Sequence, residues 1–133
     1  MSLAVVDASV LVAFYAVEDP RRDTVTARLT VGDALVAPAH LDAEIVSALR
    51  GLSRSSSALR AGVPGALRHL ARFPVRRMHL APFLQRIWEL RDNFTAYDAA
   101  YVALAEQLDG PLITCDGKLA GAAGSRCTVE LIS

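Results

Sequence analysis

The chain has 133 residues, 53% of them hydrophobic, and its 14 Lys and Arg balance its 14 Asp and Glu to a formal net charge of zero. That length sets one domain, residues 1–133, with a continuous core, and that apolar fraction excludes a disordered chain. Zero net charge removes any argument from bulk charge for nucleic acid or an anionic membrane, and the longest clean apolar run, Val10 to Val17, is far too short to span a bilayer.

Leu3 to Val6 reads as a buried parallel strand, and Ala8 to about Ala16 as a helix entered directly from Asp7. Asp19 to about Thr30 reads as a second helix with Pro20 at its first position, where a missing N–H does no harm. A short strand, Ala34 to Ala37, precedes an amphipathic helix from Ala39 to about Leu52. Gly51 and the run Ser55-Ser-Ser57 mark a break, and two further helical segments are expected around a turn at Gly62-Val-Pro-Gly65. Val75 to Leu80 is expected as a strand and Ala81 to about Arg91 as a helix. The clearest helix, Ala96 to Leu108, stops at the αL signal Asp109-Gly110. Pro111 to Cys115 reads as a strand, Gly117 to about Ala123 as a short helix and Thr128 to Ile132 as a last strand. Strands alternating with helices imply a parallel sheet covered on both faces.

The N-terminus has no positive segment and Asp7 interrupts its apolar stretch, so no secretory signal is expected and the chain reads as cytoplasmic. Cys115 and Cys127 fall in or beside predicted strands, which suits reduced core residues, and nothing supplies zinc-ligand spacing. Charge is unevenly distributed. From Ile45 through Trp88 there is no Asp or Glu, yet the stretch carries eight arginines, a local excess that suits phosphate contacts or a solvated helix face.

Four acids carry the chemical signal. Asp7 and Asp116 each follow an apolar strand, and ligand sites in open parallel sheets form outside strand carboxyl ends. Each also precedes a helical segment and would serve as an N-cap. Asp98 follows Thr95 at capping-box spacing. Glu44 lies inside a helix, where no backbone donor is free. About 80° from the centre of the face formed by Leu41, Ile45, Ala48, Leu49 and Leu52, it leans into a cleft or pairs with His40 one turn earlier. Carboxylates crowded together repel unless a cation offsets them, so a joint site means metal bound by oxygen. Ser9 and Thr114, each two residues from an acid, supply hydroxyls that could orient carboxylates or contact substrate.

Val5-Val-Asp7-Ala-Ser9, His40-Leu-Asp-Ala-Glu-Ile-Val46, Tyr97-Asp98-Ala-Ala-Tyr101-Val-Ala-Leu-Ala105 and Leu112-Ile-Thr114-Cys-Asp116, in this order and spacing, resemble the PIN-domain family, and most closely its VapC-like toxins. The resemblance implies a three-layer α/β/α domain with a parallel sheet of order 3-2-1-4-5. It also implies an Mg2+- or Mn2+-dependent endoribonuclease with Asp7, Glu44, Asp98 and Asp116 as its acidic set, a homodimer, and a cognate VapB-like antitoxin whose tail blocks the cleft. On this reading Asp7 and Asp98 contact the ion and Asp116 holds it directly or through water. Glu44 then positions or deprotonates the attacking water. Arg54 and Arg60 are candidates for the RNA backbone, and Trp88 and Phe83 for partner anchors if exposed.

Three alternatives come from other classes. A haloacid-dehalogenase-like phosphatase needs a second acid two residues after the first, where this chain has Ser9. A structure-specific DNA nuclease shares fold and acids but uses extra helices that a chain this short lacks. A non-catalytic binding module would use the acids as caps.

Overall fold

The apolar run Leu3–Val6 forms β1, whose last three residues are wholly buried, and Asp7 turns the chain into α1 (Ala8–Tyr15) and then α2 (Arg22–Leu29). The computed structural model describes residues 2–133. Next come β2 (Ala34–Pro38), α3 (Leu41–Ser53), α4 (Ser57–Arg72), β3 (Val75–Met78), α5 (Leu84–Glu89) and α6 (Ala96–Leu108). The chain finishes with β4 (Leu112–Thr114), α7 (Gly117–Gly121) and β5 (Val129–Leu131).

The five strands form one sheet of order β3-β2-β1-β4-β5, with every neighbouring pair parallel. Strands step from β1 outward to β3, then cross back over β1 to β4. Right-handed crossovers therefore place α1 to α4 on one face and α5 and α6 on the other. The direction reverses between β1 and β4, so their carboxyl ends flank the crevice where such sheets hold ligands. The side chains that follow those two ends are Asp7 and, past Cys115, Asp116.

The core is continuous through both layers. Residues Ala99 to Ala105 of α6 are all buried, four of them alanines, which lets this helix lie against β1, β2 and β4 at close range. At its end the left-handed residue is Asp109, at φ 52°, and Gly110 serves close approach instead. A Cβ at Gly110 would stand 2.6 Å from Leu3 Cδ1 and 3.2 Å from the Leu3 carbonyl oxygen.

Several expected boundaries move. Pro20 lies in the turn before α2, because the Asp19 carboxylate accepts from the Arg21 N–H at 2.8 Å and closes a local turn there. Gly51 is inside α3, and the break falls at Arg54 to Ser56, where the Ser56 hydroxyl accepts from Leu59 N at 3.1 Å. No turn forms at Gly62 to Gly65. α4 runs through Pro64, because Leu59, Val63, Ala66, Leu67 and Leu70 make one apolar stripe whose burial outweighs the lost backbone bond. β3 stops at Met78, and Ala81–Phe83 is a 3-10 turn leading into the shorter α5.

Candidate active site

Asp7 occupies the N-cap position of α1, yet its side chain makes no capping bond. The carboxylate is instead clamped from one side. Ser9 Oγ donates to Oδ2 at 2.5 Å and Thr114 Oγ1 donates to the same oxygen at 2.8 Å, and neither bond reaches Oδ1. Asp7 is 6% exposed, and burial pushes its carboxyl above the usual carboxylate range against the pull of the two hydroxyls. Asp7 is thus a buried acid with no cationic partner, held by two hydroxyls rather than by a capping bond.

Thr114 and Ser9 tie the ends of β1 and β4 together. Thr114 Oγ1 accepts from Asp116 N at 3.0 Å, and Ser9 Oγ accepts from Cys115 N at 2.9 Å. Thr114 is fully buried. Both hydroxyls therefore bond Asp7 and the β4 backbone; Thr114 is wholly buried with its bonds filled, which suits positioning of the carboxylate, whereas Ser9 is only part-buried. Asp116 is a true helix cap, its Oδ1 accepting from Lys118 N at 2.9 Å.

Glu44 projects from the first turn of α3 into the same cleft. Tyr101 Oη donates to its Oε1 at 2.7 Å, and His40 Nε2 lies 3.2 Å from that oxygen, so Oε2 carries neither contact. Burial opposes ionisation of Glu44, but the His40 and Tyr101 bonds outweigh it and hold the carboxyl below its usual range. His40 gains in return: its bond with Glu44 raises its pKa against burial, and the same Nε2 lies 3.2 Å from the Tyr97 carbonyl oxygen. Tyr101 is buried, and burial with the Glu44 bond keeps its phenol protonated far above neutrality. Tyr101 lies within the Tyr97-to-Ala105 motif, and its bond to Glu44 is visible only in the folded chain. The one sign in the sequence is its place three residues after Asp98, on the same helix face.

Asp98 sits one turn before Tyr101. The capping box is half built: Thr95 Oγ1 accepts from Asp98 N at 3.2 Å, and no bond returns from the Asp98 carboxylate to Thr95 N. Burial raises the Asp98 pKa, and the charges of Asp7, Asp116 and Glu44 raise it further, in that order. Asp98 of α6 thus faces the charges of Glu44 from α3 and of Asp7 and Asp116 at the ends of β1 and β4, and Asp7 faces that of Glu44. Among the described residues, no three His, Cys, Asp or Glu side chains are grouped closely enough to hold an ion on their own. An oxygen-only donor set still suits a hard divalent cation that keeps several waters and takes one or two carboxylates directly.

The other candidates lie elsewhere. Arg54 follows α3, about 15 Å along the helix from Glu44 at 1.5 Å per residue. Arg60 is drawn back onto the Ser53 carbonyl, at 3.2 Å from Nε and 2.8 Å from Nη2. Two arginines of the basic stretch are structural: Arg77 forks onto Asp42 at 2.8 and 3.0 Å, and Arg86 forks onto Glu106 at 2.7 and 3.0 Å. Phe83 is buried at 8% exposure, which removes it as a partner anchor, whereas Trp88 is 65% exposed with Arg91 over its ring at 4.3 Å.

The PIN domain model matches residues 4–125. The chain is 44% identical over 108 residues to Ribonuclease VapC12 of Mycobacterium tuberculosis, covering 80% of this chain and 83% of that protein. Its fold is similar to that of M. tuberculosis VapC20, a Sarcin-Ricin loop cleaving toxin, with a TM-score of 0.69 and 21% identity over 92% of this chain and 95% of that one. It is also similar to VapBC2 from Rickettsia felis, solved with a DNA fragment from their promoter, at a TM-score of 0.64 and 12% identity over 98% of this chain and 99% of that one. With the family model spanning nearly the whole chain and a close relative at this identity, the chain belongs to the PIN-domain family, in its VapC ribonuclease group.

Proposed function

We propose that residues 1–133 act as one PIN domain, a metal-dependent endoribonuclease that cuts RNA phosphodiester bonds in the cytoplasm as the toxin of a toxin–antitoxin pair. The observation that carries the reading is the acidic cluster itself: Asp98 facing Asp7, Asp116 and Glu44 at the sheet's reversal point, with Asp7 buried and used as no cap. VapC12 is named a ribonuclease, and VapC20 a Sarcin-Ricin loop cleaving toxin, which supports RNA as the substrate class here.

Asp7 and Asp98 would hold Mg2+ or Mn2+, with Asp116 reaching it directly or through water, and the cation supplies Lewis acidity and charge neutralisation at the phosphate. The protein's own contribution is orientation. Ser9 and Thr114 fix the Asp7 carboxylate by one oxygen and leave the other for the cleft. Glu44 is kept ionised by His40 and Tyr101, with Oε2 free to position an attacking water or accept its proton. Arg54, on the exposed turn after α3, is the better placed of the two arginines for RNA backbone contact, since the Arg60 fork already has a carbonyl partner.

A VapB-like antitoxin is the expected partner, covering the acidic cleft, and Trp88 on exposed α5 is a candidate anchor for it or for a second copy in a homodimer. No helix among the described residues is long and apolar enough to cross a membrane. The test is cleavage of total cellular RNA by purified protein in Mg2+ or Mn2+, beside chelator and Asp7→Asn controls. Discrete fragments that vanish in both controls are expected. Well-folded protein that leaves RNA intact with either ion would sink the proposal.

A further inference from the structure

We infer that the groove beside Glu44 is a nucleobase subsite in which the Tyr97 ring stacks on an unpaired base next to the phosphodiester being cut. This rests on the ribonuclease reading above and names one part of its substrate contact. The groove, of about 440 Å3, is lined along α3 by His40, Ala43, Glu44, Ser47 and Ala48, and closed from α6 by Tyr97. Its size falls within the range of small-ligand sites.

The composition of its walls favours a flat aromatic occupant. Positions 40, 43, 44, 47 and 48 recur at helical spacing on one stripe, and beyond His40 and Glu44 that stripe carries only Ala and Ser. A long side chain at Ala43 or Ser47 would fill the groove. Tyr97 is 64% exposed although Ala99 to Ala105, just beyond it, are buried. Its ring leans on the His40 ring at 5.8 Å between centroids and a 58° tilt, and its carbonyl oxygen lies 3.2 Å from His40 Nε2. The residue is thus braced by its backbone and one edge while most of its surface stays open.

Position then names the occupant. Glu44 lines the groove and its charge acts on Asp98, the residue after Tyr97, so a base on this ring would lie next to the acidic cluster. Proteins that read single-stranded RNA splay bases out and stack them on aromatic side chains. Such stacking tolerates any base, because every base has a π-face.

The test uses a short single-stranded RNA carrying 2-aminopurine, with binding measured in the Asp7→Asn background and cleavage in the parent. Tyr97→Ala is expected to weaken binding about tenfold and to remove the fluorescence quench that stacking produces. In the parent it should raise KM by a similar factor with kcat little changed, the pattern of lost ground-state contact. Tyr97→Phe, which keeps the ring, should restore all three. Ser47→Leu fills the groove from an exposed helix position and should reproduce the Tyr97→Ala effects even if that variant folds poorly. If the wild type cleaves RNA while affinity, KM and quench are unchanged in both Tyr97→Ala and Ser47→Leu, the groove belongs to another occupant and the inference is overturned alone. A wild type that neither binds nor cleaves RNA overturns it together with the ribonuclease reading.

Discussion

Thr114 holds two acids at once. Its hydroxyl donates to Asp7 Oδ2 at 2.8 Å and accepts from the Asp116 N–H at 3.0 Å, in a wholly buried position. Thr114→Val keeps the shape and removes both bonds. We expect cleavage to fall roughly 10- to 100-fold, as when a group that orients a metal ligand is lost, with stability reduced by about 1–3 kcal/mol. Thr114→Ser should recover most of the rate. Single-turnover cleavage beside urea melts checks this, and a fully active Val variant would show that the hydroxyl orients nothing that matters. The acids could be found in the sequence from strand ends and spacing, whereas the direction of a neighbouring hydroxyl could not: Thr114 was as compatible with substrate contact as with Asp7. The Tyr101–Glu44 bond was equally hidden, since its partners are 57 residues apart and meet only through packing.

Among the elements, the strands and α6 were legible because apolar runs and small-residue patterning dominate them. α4 was not. Gly62 and Pro64 carry strong local breaking signals, and only contact of the Leu59-to-Leu70 stripe with the rest of the core overrides them. A second feature seen only in three dimensions is the node at Glu106. Arg86 of α5 forks onto this carboxylate of α6, and Arg126 N donates to it at 2.6 Å, so one acid joins two helices and the loop before β5. Burial opposes its ionisation, yet these bonds win and its pKa is depressed. The sign follows: the contribution is complete above the unfolded glutamate value of about 4.3 and is lost as pH falls through the lower folded value. Glu106→Gln should cost about 2 kcal/mol at pH 7. Its deficit relative to the wild type should shrink below about pH 4, and equal deficits at pH 7 and pH 3 in denaturant titrations would count against the assignment.

At the scale of the whole molecule, the fold concentrates negative charge at one crevice while net charge stays at zero. Without a cation that arrangement destabilises the native state. Asp98→Asn, which removes the acid facing all three others, should raise the stability of cation-free protein by about 1 kcal/mol while abolishing cleavage. Added Mg2+ or Mn2+ should raise the melting temperature of the wild type, by a free energy of about 2.7 kcal/mol at a hundredfold excess over Kd, and do much less for Asp98→Asn. Equal thermal shifts in both proteins would place the ion elsewhere.

The placement of β1 between β2 and β4 bears on when the protein becomes dangerous. Asp7 leaves the ribosome more than a hundred residues before the Thr114 that bonds it and the Asp116 beyond. Chains fold from the N-terminus during synthesis, and contacts of such long separation form late. Until β4 is synthesised the nascent polypeptide lacks the residues that assemble the acidic cluster. Cleavage is therefore expected only after β4 has been made, and a chain terminated before β4 should leave RNA intact.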